Sequence, residues 1–268
     1  YSVFSELFLK IYIKKIKKIN IPIILIVSKD LFQKQMKKLN YSYRIRNIKI
    51  NDILKKKIDN KKINIIDIKF KFNKAFDKIT DRSNNYIKKS FDVALDLLKN
   101  KKAIGMINGP ISKKNFLNKK YLGITEYISD SFSEKKTCML IFNKNLSVCP
   151  LTTHLPIKLV SRKINKQNLR NKIILIQDFY KRFFNKKPRM GILGLNPHCE
   201  SVLQINEDQK IIKPFINNMK KKGFKISGPY AADTAFLKNN RKNFDVIIGM
   251  YHDQVLTPIK TLFEYDAI

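Results

Sequence analysis

The chain has 268 residues, with 55 Lys and Arg against 21 Asp and Glu and a formal net charge of +34. That length can bury a sizeable core in one large or two medium domains. Three cysteines without a CxxC exclude a disulfide framework and fit a reducing, cytoplasmic setting, and no apolar run reaches the roughly 18 residues of a membrane span.

The charge invites nucleic acid or an anionic membrane as partner. The lysines, however, are spread through nearly every helix and loop, and Lys, Ile and Asn rise together as in compositional drift. Nothing resembles a recognition helix, a zinc finger or an aromatic-studded basic sheet. Neither nucleic acid nor membrane is therefore expected as a partner, and a basic nucleic-acid-binding protein is the minor alternative. The chain opens on Tyr1 and stops in mid-pattern at Glu264-Tyr265-Asp266-Ala267-Ile268, which reads as a fragment trimmed at both ends. Its N-terminal stretch is amphipathic and lysine-rich, without a signal-peptide core.

In chain order, Phe4, Leu7, Phe8, Ile11 and Ile13 predict a helix over 4–16. A strand over 21–27, a short helix over 31–39 and a strand over 63–68 follow, an alternation that argues for α/β architecture. The stretch 43–61 is too basic and irregular to assign. Asp81-Arg82-Ser83 offers N-caps for a helix to about residue 98, with Ile87, Phe91, Ala94, Leu97 and Leu98 on its core face. A strand over 103–107 should end in Asn108-Gly109-Pro110-Ile111-Ser112-Lys113-Lys114, a tight βα turn able to present backbone N–H groups to an anion. Gly123-Ile124-Thr125-Glu126 then opens a second domain. It should hold a strand pair, 137–142 and 146–149, a helix over 168–184, a strand over 190–195 and a helix over 208–222 closed by Gly223. A turn from Gly228-Pro229 to Thr234 and a buried strand over 244–248 complete the pattern.

The chemistry concentrates on three histidines. His154 follows Leu151-Thr152-Thr153, His198 ends the run 190–197, and His252 follows the run 244–248 in Gly249-Met250-Tyr251-His252-Asp253-Gln254. All three fall at strand exits, where open α/β sheets bind their ligands. Neutral imidazoles suit zinc and other first-row divalent ions, and three protein ligands leave a position open for substrate. Their wide spacing in sequence leaves two readings in balance, a metal site closed by the fold or three ordinary loop histidines. Asp253 is placed to orient a ligand. Asp233 could reach the same cleft or cap the helix that follows it, and Lys260, beyond Thr257-Pro258, suits a phosphate or a developing oxyanion.

Gly194-Leu195-Asn196-Pro197-His198, Ala232-Asp233-Thr234, Met250-Tyr251-His252-Asp253-Gln254 and Thr152-Thr153-His154-Leu155-Pro156 together resemble the 4-hydroxythreonine-4-phosphate dehydrogenase family of pyridoxal phosphate biosynthesis. Asn108-Gly109-Pro110-Ile111-Ser112-Lys113 is similar to that family's strand-exit turn. The resemblance spans nearly the whole chain. It implies a two-domain α/β/α fold like that of isocitrate and isopropylmalate dehydrogenases, here 1–122, completed by the segment from about 259, and 123–258. It implies a homodimer with the active site near its interface. His154, His198 and His252 match the ligands of a divalent metal (Zn, Mg or Co), Thr125 and Lys260 match substrate-binding positions, and Asp233 and Lys260 match catalytic ones. The implied reaction is NAD-dependent oxidation of 4-phosphooxy-L-threonine followed by loss of carbon dioxide, giving 3-amino-2-oxopropyl phosphate. No GxGxxG is present, which fits a family whose NAD site is not a Rossmann fingerprint.

The departures are specific. Ile124 stands where the family has His, so a hydrogen bond to substrate is lost or replaced there. Cys199-Glu200-Ser201-Val202 replaces a glycine-rich turn, although Glu207-Asp208 keeps an acidic pair. A paralogue acting on another phosphorylated hydroxy acid is therefore the alternative within the same fold.

Overall fold

The computed structural model describes residues 3–55, 57–77, 81–112, 116–117, 121, 123–132, 137–200 and 206–267. The chain divides into two compact units, Tyr1–Ser133 and Glu134–Ile268.

The first unit contains α1 (Phe4–Tyr12), β1 (Ile24–Val27), α2 (Lys29–Lys38), β2 (Ile45–Asn47), β3 (Ile63–Asp67), α3 (Asn84–Lys99) and α4 (Ile124–Asp130). Its sheet is parallel, in the order β1-β3-β2. Phe8, Leu9 and Tyr12 of α1 and Phe32 and Met36 of α2 recur at helical spacing and bury themselves against Leu25, Ile63 and Ile65. Ser28 begins α2 by accepting the Leu31 N–H, and Asp67 accepts the Lys29 N–H at 2.9 Å. Burial acts to raise the pKa of Asp67, but hydrogen bonds from the Lys29 amide and the Lys69 ammonium outweigh it and hold the carboxyl below its usual value. Asn60 ties the approach to β1 by accepting the Ile23 N–H and donating to the carbonyls of Ile19 and Ile21, each at 2.8 Å.

The second unit contains β4 (Ser147–Pro150), α5 (Lys166–Phe184), β5 (Met190–Leu193), a π-helical turn (Asp208–Ile212) running into α6 (Lys213–Lys221), β6 (Ile226–Tyr230), α7 (Ala232–Ala235), α8 (Lys238–Arg241), β7 (Val246–Gly249) and α9 (His252–Phe263). The sheet is again parallel, in the order β4-β7-β5-β6. Apolar runs such as Val246-Ile247-Ile248 are fully buried because helices cover both faces. Val246 and Ile248 meet Leu169, Ile173 and Ile176 of α5 and Phe215, Ile216 and Met219 of α6. Ile247 meets Phe236, Phe244, and Val255 and Ile259 of α9 on the other face. This unit is thus an α/β/α sandwich. Asn165 caps α5 by accepting the Asn168 N–H at 2.8 Å, and Gly223, at φ +81, ends α6 in the left-handed region that favours glycine.

Several expectations need correction. No strand forms over 103–107: the N–H groups of Lys102 and Ala103 both turn back to the Leu97 carbonyl at the end of α3, and Ile104 and Ile107 are exposed. The 137–142 strand is reduced to one antiparallel bridge between Ile141 and Val148. Gly228-Pro229 lies inside β6 instead of ending it, and the proline is tolerated because β6 is an edge strand. The unassigned stretch 43–61 supplies β2. Lys113 and Lys114 of the anticipated anion turn lie outside the described residues.

Candidate active site

The carboxyl ends of β4, β7 and β5 lie side by side, and side-chain hydrogen bonds lock the loops that leave them. Past the last ladder pair, the Leu151 N–H donates to Gly249 O at 2.8 Å, and the Thr152 hydroxyl donates to Met250 O at 2.8 Å. These bonds carry the pairing of β4 and β7 into their exits. Gln254, in the first turn of α9, accepts the Met250 N–H at 2.7 Å and donates through Nε2 to Gly194 O at 2.8 Å. One carboxamide therefore joins the exits of β7 and β5.

The β5 exit is held from below by Asp208, which is fully buried. Its carboxylate accepts the Leu195 N–H at 2.7 Å, the Asn196 N–H at 3.1 Å and Asn196 Nδ2–H at 2.9 Å. A Cβ on Gly194 would come within 2.8 Å of that carboxylate and 2.7 Å of Cys199 Sγ, so only glycine allows the close approach. Beyond Pro197, His198 (φ 55) and Cys199 (φ 60) are consecutive left-handed residues. Such a conformation costs about 1–2 kcal/mol per non-glycine residue and persists where its surroundings over-determine it. The Cys199 thiol is pushed up by burial and by the Asp208 carboxylate, with smaller contributions from Asp233 and Glu200. Asp233 lies exposed in the single turn of α7, and the N-cap of that turn is Ala231 rather than Asp233.

The structure brings two of the three histidines together. The rings of His154 and His252 are 5.9 Å apart between centroids, tilted by 35°. His252 is the first residue of α9. Its Nδ1 lies 2.6 Å from Asp253 Oδ1, so in the neutral ring the carboxylate favours a proton on Nδ1 and a lone pair on Nε2. His198 stands exposed one strand over, on the left-handed bend. Among the described residues no group of three or more His, Cys, Asp or Glu side chains is gathered closely enough to hold a metal ion. Imidazoles are the right kind of ligand for a divalent ion, and among the described residues His198 is not gathered with the other two.

Lys260 lies two turns along α9 from His252, and its ammonium donates to Ala267 O at 2.7 Å and Glu264 O at 3.3 Å. No hydrogen bond joins it to the histidine pair among the described residues. Thr125 belongs to the first unit, half-buried in the first turn of α4 next to Ile124. A cluster of aromatic rings fixes that helix: Tyr127 meets Phe91, Phe116 and Tyr121 at centroid distances of 5.3–5.4 Å. Gln254 and Asp208 escape sequence reasoning as structural ties of the site. The sequence signals were Gln254's place in the Tyr-His-Asp-Gln run, and Asp208's place at a helix start in the acidic pair Glu207-Asp208.

Comparison with known proteins agrees with this architecture. The family model described as pyridoxal phosphate biosynthetic protein PdxA matches residues 18–268. A 4-hydroxythreonine-4-phosphate dehydrogenase from Sulfurihydrogenibium sp. is 35% identical over 263 residues, covering 96% of this chain and 79% of its own length. A D-threonate 4-phosphate dehydrogenase from Pectobacterium atrosepticum is 31% identical over 149 residues, 55% of this chain and 46% of its own. The crystal structure of a 4-hydroxythreonine-4-phosphate dehydrogenase from Burkholderia phymatum superposes with a TM-score of 0.78 at 22% identity, over 97% of this chain and 80% of that one, a likeness of fold. With its histidine-bearing strand exits and a family match over nearly its whole length, the chain belongs to the PdxA family of 4-hydroxythreonine-4-phosphate dehydrogenases.

Proposed function

We propose that this dehydrogenase oxidises 4-phosphooxy-L-threonine with NAD and releases carbon dioxide from the resulting β-keto acid, giving 3-amino-2-oxopropyl phosphate. The observation that carries the reading is the pair of imidazoles, His154 and His252, at 5.9 Å on adjoining strand exits, one of them oriented by a carboxylate. Bound by His154, His252 and an inward-moved His198, a divalent ion (Zn, Mg or Co) would supply a Lewis acid, and NAD a hydride acceptor. The chain's own residues have separate tasks. Asp233, beside the β5 exit, is the carboxylate to take the hydroxyl proton. Asp253 holds His252 in one tautomer. Thr125 is a hydrogen-bonding group for the substrate, and Lys260 a cation for its phosphate or for charge developing at the carbonyl oxygen. Gln254 and Asp208 keep the three exits in register. The reading has the chain acting as a homodimer with its active site near the interface, in the cytoplasm, which the free state of Cys138, Cys149 and Cys199 supports.

The test is NADH formation, followed by absorbance, on 4-phosphooxy-L-threonine with and without a chelator. Chelator-sensitive NADH production is expected. A folded, metal-supplied protein that produces none on this substrate overturns the assignment. A second reading, oxidation of a different phosphorylated hydroxy acid, is favoured by Ile124, which cannot donate the hydrogen bond of the histidine it replaces. The same assay on D-threonate 4-phosphate separates the two.

A further inference from the structure

We propose that Cys138 and Cys149 form a thiol–disulfide exchange site that takes a small disulfide such as oxidised glutathione and closes into an intramolecular cross-link. Their sulfurs lie 3.3 Å apart, and both cysteines are free. A disulfide needs about 2.05 Å between sulfurs, so the closure is a matter of small side-chain rotations. The two segments are already fixed. Ile141 and Val148 exchange both backbone hydrogen bonds at 2.9 Å, and Lys172 of α5 donates to Thr137 O at 2.6 Å, immediately before Cys138. Cys149 is fully buried in β4, whereas Cys138 is half-buried and can be reached.

The two thiols are not equivalent. The hydrogen bond from Cys149 lowers the Cys138 thiol against the opposing effect of burial, and the Lys172 charge lowers it further. Cys149 is pushed well up by its bond to Cys138 and by burial. Both effects favour Cys138, the more accessible of the two, as the attacking sulfur once it is deprotonated. In the first step the Cys138 thiolate attacks one sulfur of glutathione disulfide, forms a mixed disulfide and expels one glutathione thiolate. In the second, Cys149 gives its proton to that thiolate and attacks the Cys138 sulfur, so the protein S–S bond forms and the second glutathione leaves. Two protein thiols are oxidised and one glutathione disulfide is reduced to two thiols. The cross-link grips β4, whose exit carries Thr152 and His154. It thereby ties the oxidation state of the chain to the edge of the candidate active site.

The experiment equilibrates the reduced full chain with excess glutathione disulfide, then counts free thiols and maps cross-linked peptides by mass. The chain has three cysteines; two should disappear together, in one intramolecular peptide pair joining residues 138 and 149, with Cys199 left as a thiol. Cys149→Ala should stall as a mixed disulfide on Cys138, and Cys138→Ser should yield no cross-link and no adduct on Cys149. Cys138→Ser sits at a half-exposed position and keeps the test decisive if the buried variant fails to fold. Persistence of all three thiols in the native chain, cross-links shared with Cys199, or a glutathione adduct on the parent that never resolves would each overturn the proposal.

Discussion

Removing the Asp208 carboxylate should loosen the whole β5 exit. The side chain is fully buried and accepts three hydrogen bonds from Leu195 and Asn196 at 2.7–3.1 Å. A hydrogen bond to a charged group contributes about 1.5–3 kcal/mol, and each donor left buried without an acceptor costs about 1–3 kcal/mol. The two figures describe the same bonds and do not add. Leu195 and Asn196 are half-buried, so water can recover part of the loss. Asp208→Ala should therefore cost about 3–4 kcal/mol, a fall in melting temperature on the order of 10 °C. Asp208→Asn should cost about 2 kcal/mol, because one oxygen can still accept two N–H groups while the new NH2 faces the third donor. Thermal unfolding followed by circular dichroism measures both. An asparagine variant that melts with the parent, or an alanine variant milder than the asparagine one, would refute the reasoning. NADH production should fall in both variants below their melting range, since His198 hangs on the loop this carboxylate fixes.

Gln254→Ala removes the bridge between the exits of β7 and β5, and a loss of about 2 kcal/mol with a larger fall in activity than in stability is expected, checked by denaturant melts beside the NADH assay. Ile173→Ala, at a fully buried position of α5, should destabilise by about 2–5 kcal/mol in the same melts, with little effect on Km once the chain is folded. Asp245 supplies a pH test. Burial acts to raise its pKa, but hydrogen bonds from Arg189 and Lys186 outweigh this and leave it below the usual value. A depressed folded pKa stabilises above the unfolded value and is lost as pH falls through the folded one. The stability gap between parent and Asp245→Asn should thus be full at neutral pH and begin to narrow below about pH 4, shrinking further as the pH falls, in a series of urea titrations; a gap that does not narrow at all as the pH falls below about 4 would argue against the ion pairs as its source.

The elements legible in the sequence were those whose own residues dictate their burial. The stripe Leu169, Ile173, Ile176, Tyr180 announces α5, and the β-branched run Val246-Ile247-Ile248 announces a central parallel strand. The exit histidines were legible because a strand end fixes where the next residues emerge. What was not legible depends on partners distant in sequence. Ala103 to Ile107 has a strand's composition, yet the amides of Lys102 and Ala103 are taken by the Leu97 carbonyl. Gly228-Pro229 reads as a turn until its edge position in the sheet is known. Asp208 and Gln254 carry ordinary polar side chains; only the fold shows that one holds a loop from beneath and the other spans two strand exits. The meeting of Cys138 and Cys149 likewise comes from the Ile141–Val148 bridge and has no signature in the spacing of the cysteines.

The strand order β4-β7-β5-β6 places the last strand of the sequence between the first two of its sheet. On the ribosome, the second unit must wait for it. Until Val246–Gly249 has left the exit tunnel, β4 has only its bridge to Ile141, β5 has one open side, and the apolar faces of α5 and α6 cover an incomplete floor. Any nascent chain stalled before residue 246 would expose two unpaired parallel edges at once, a template for association with other chains and a natural ligand for a holding chaperone. Completion of this half of the protein therefore waits on one four-residue strand, and the same insertion brings His252 beside His154.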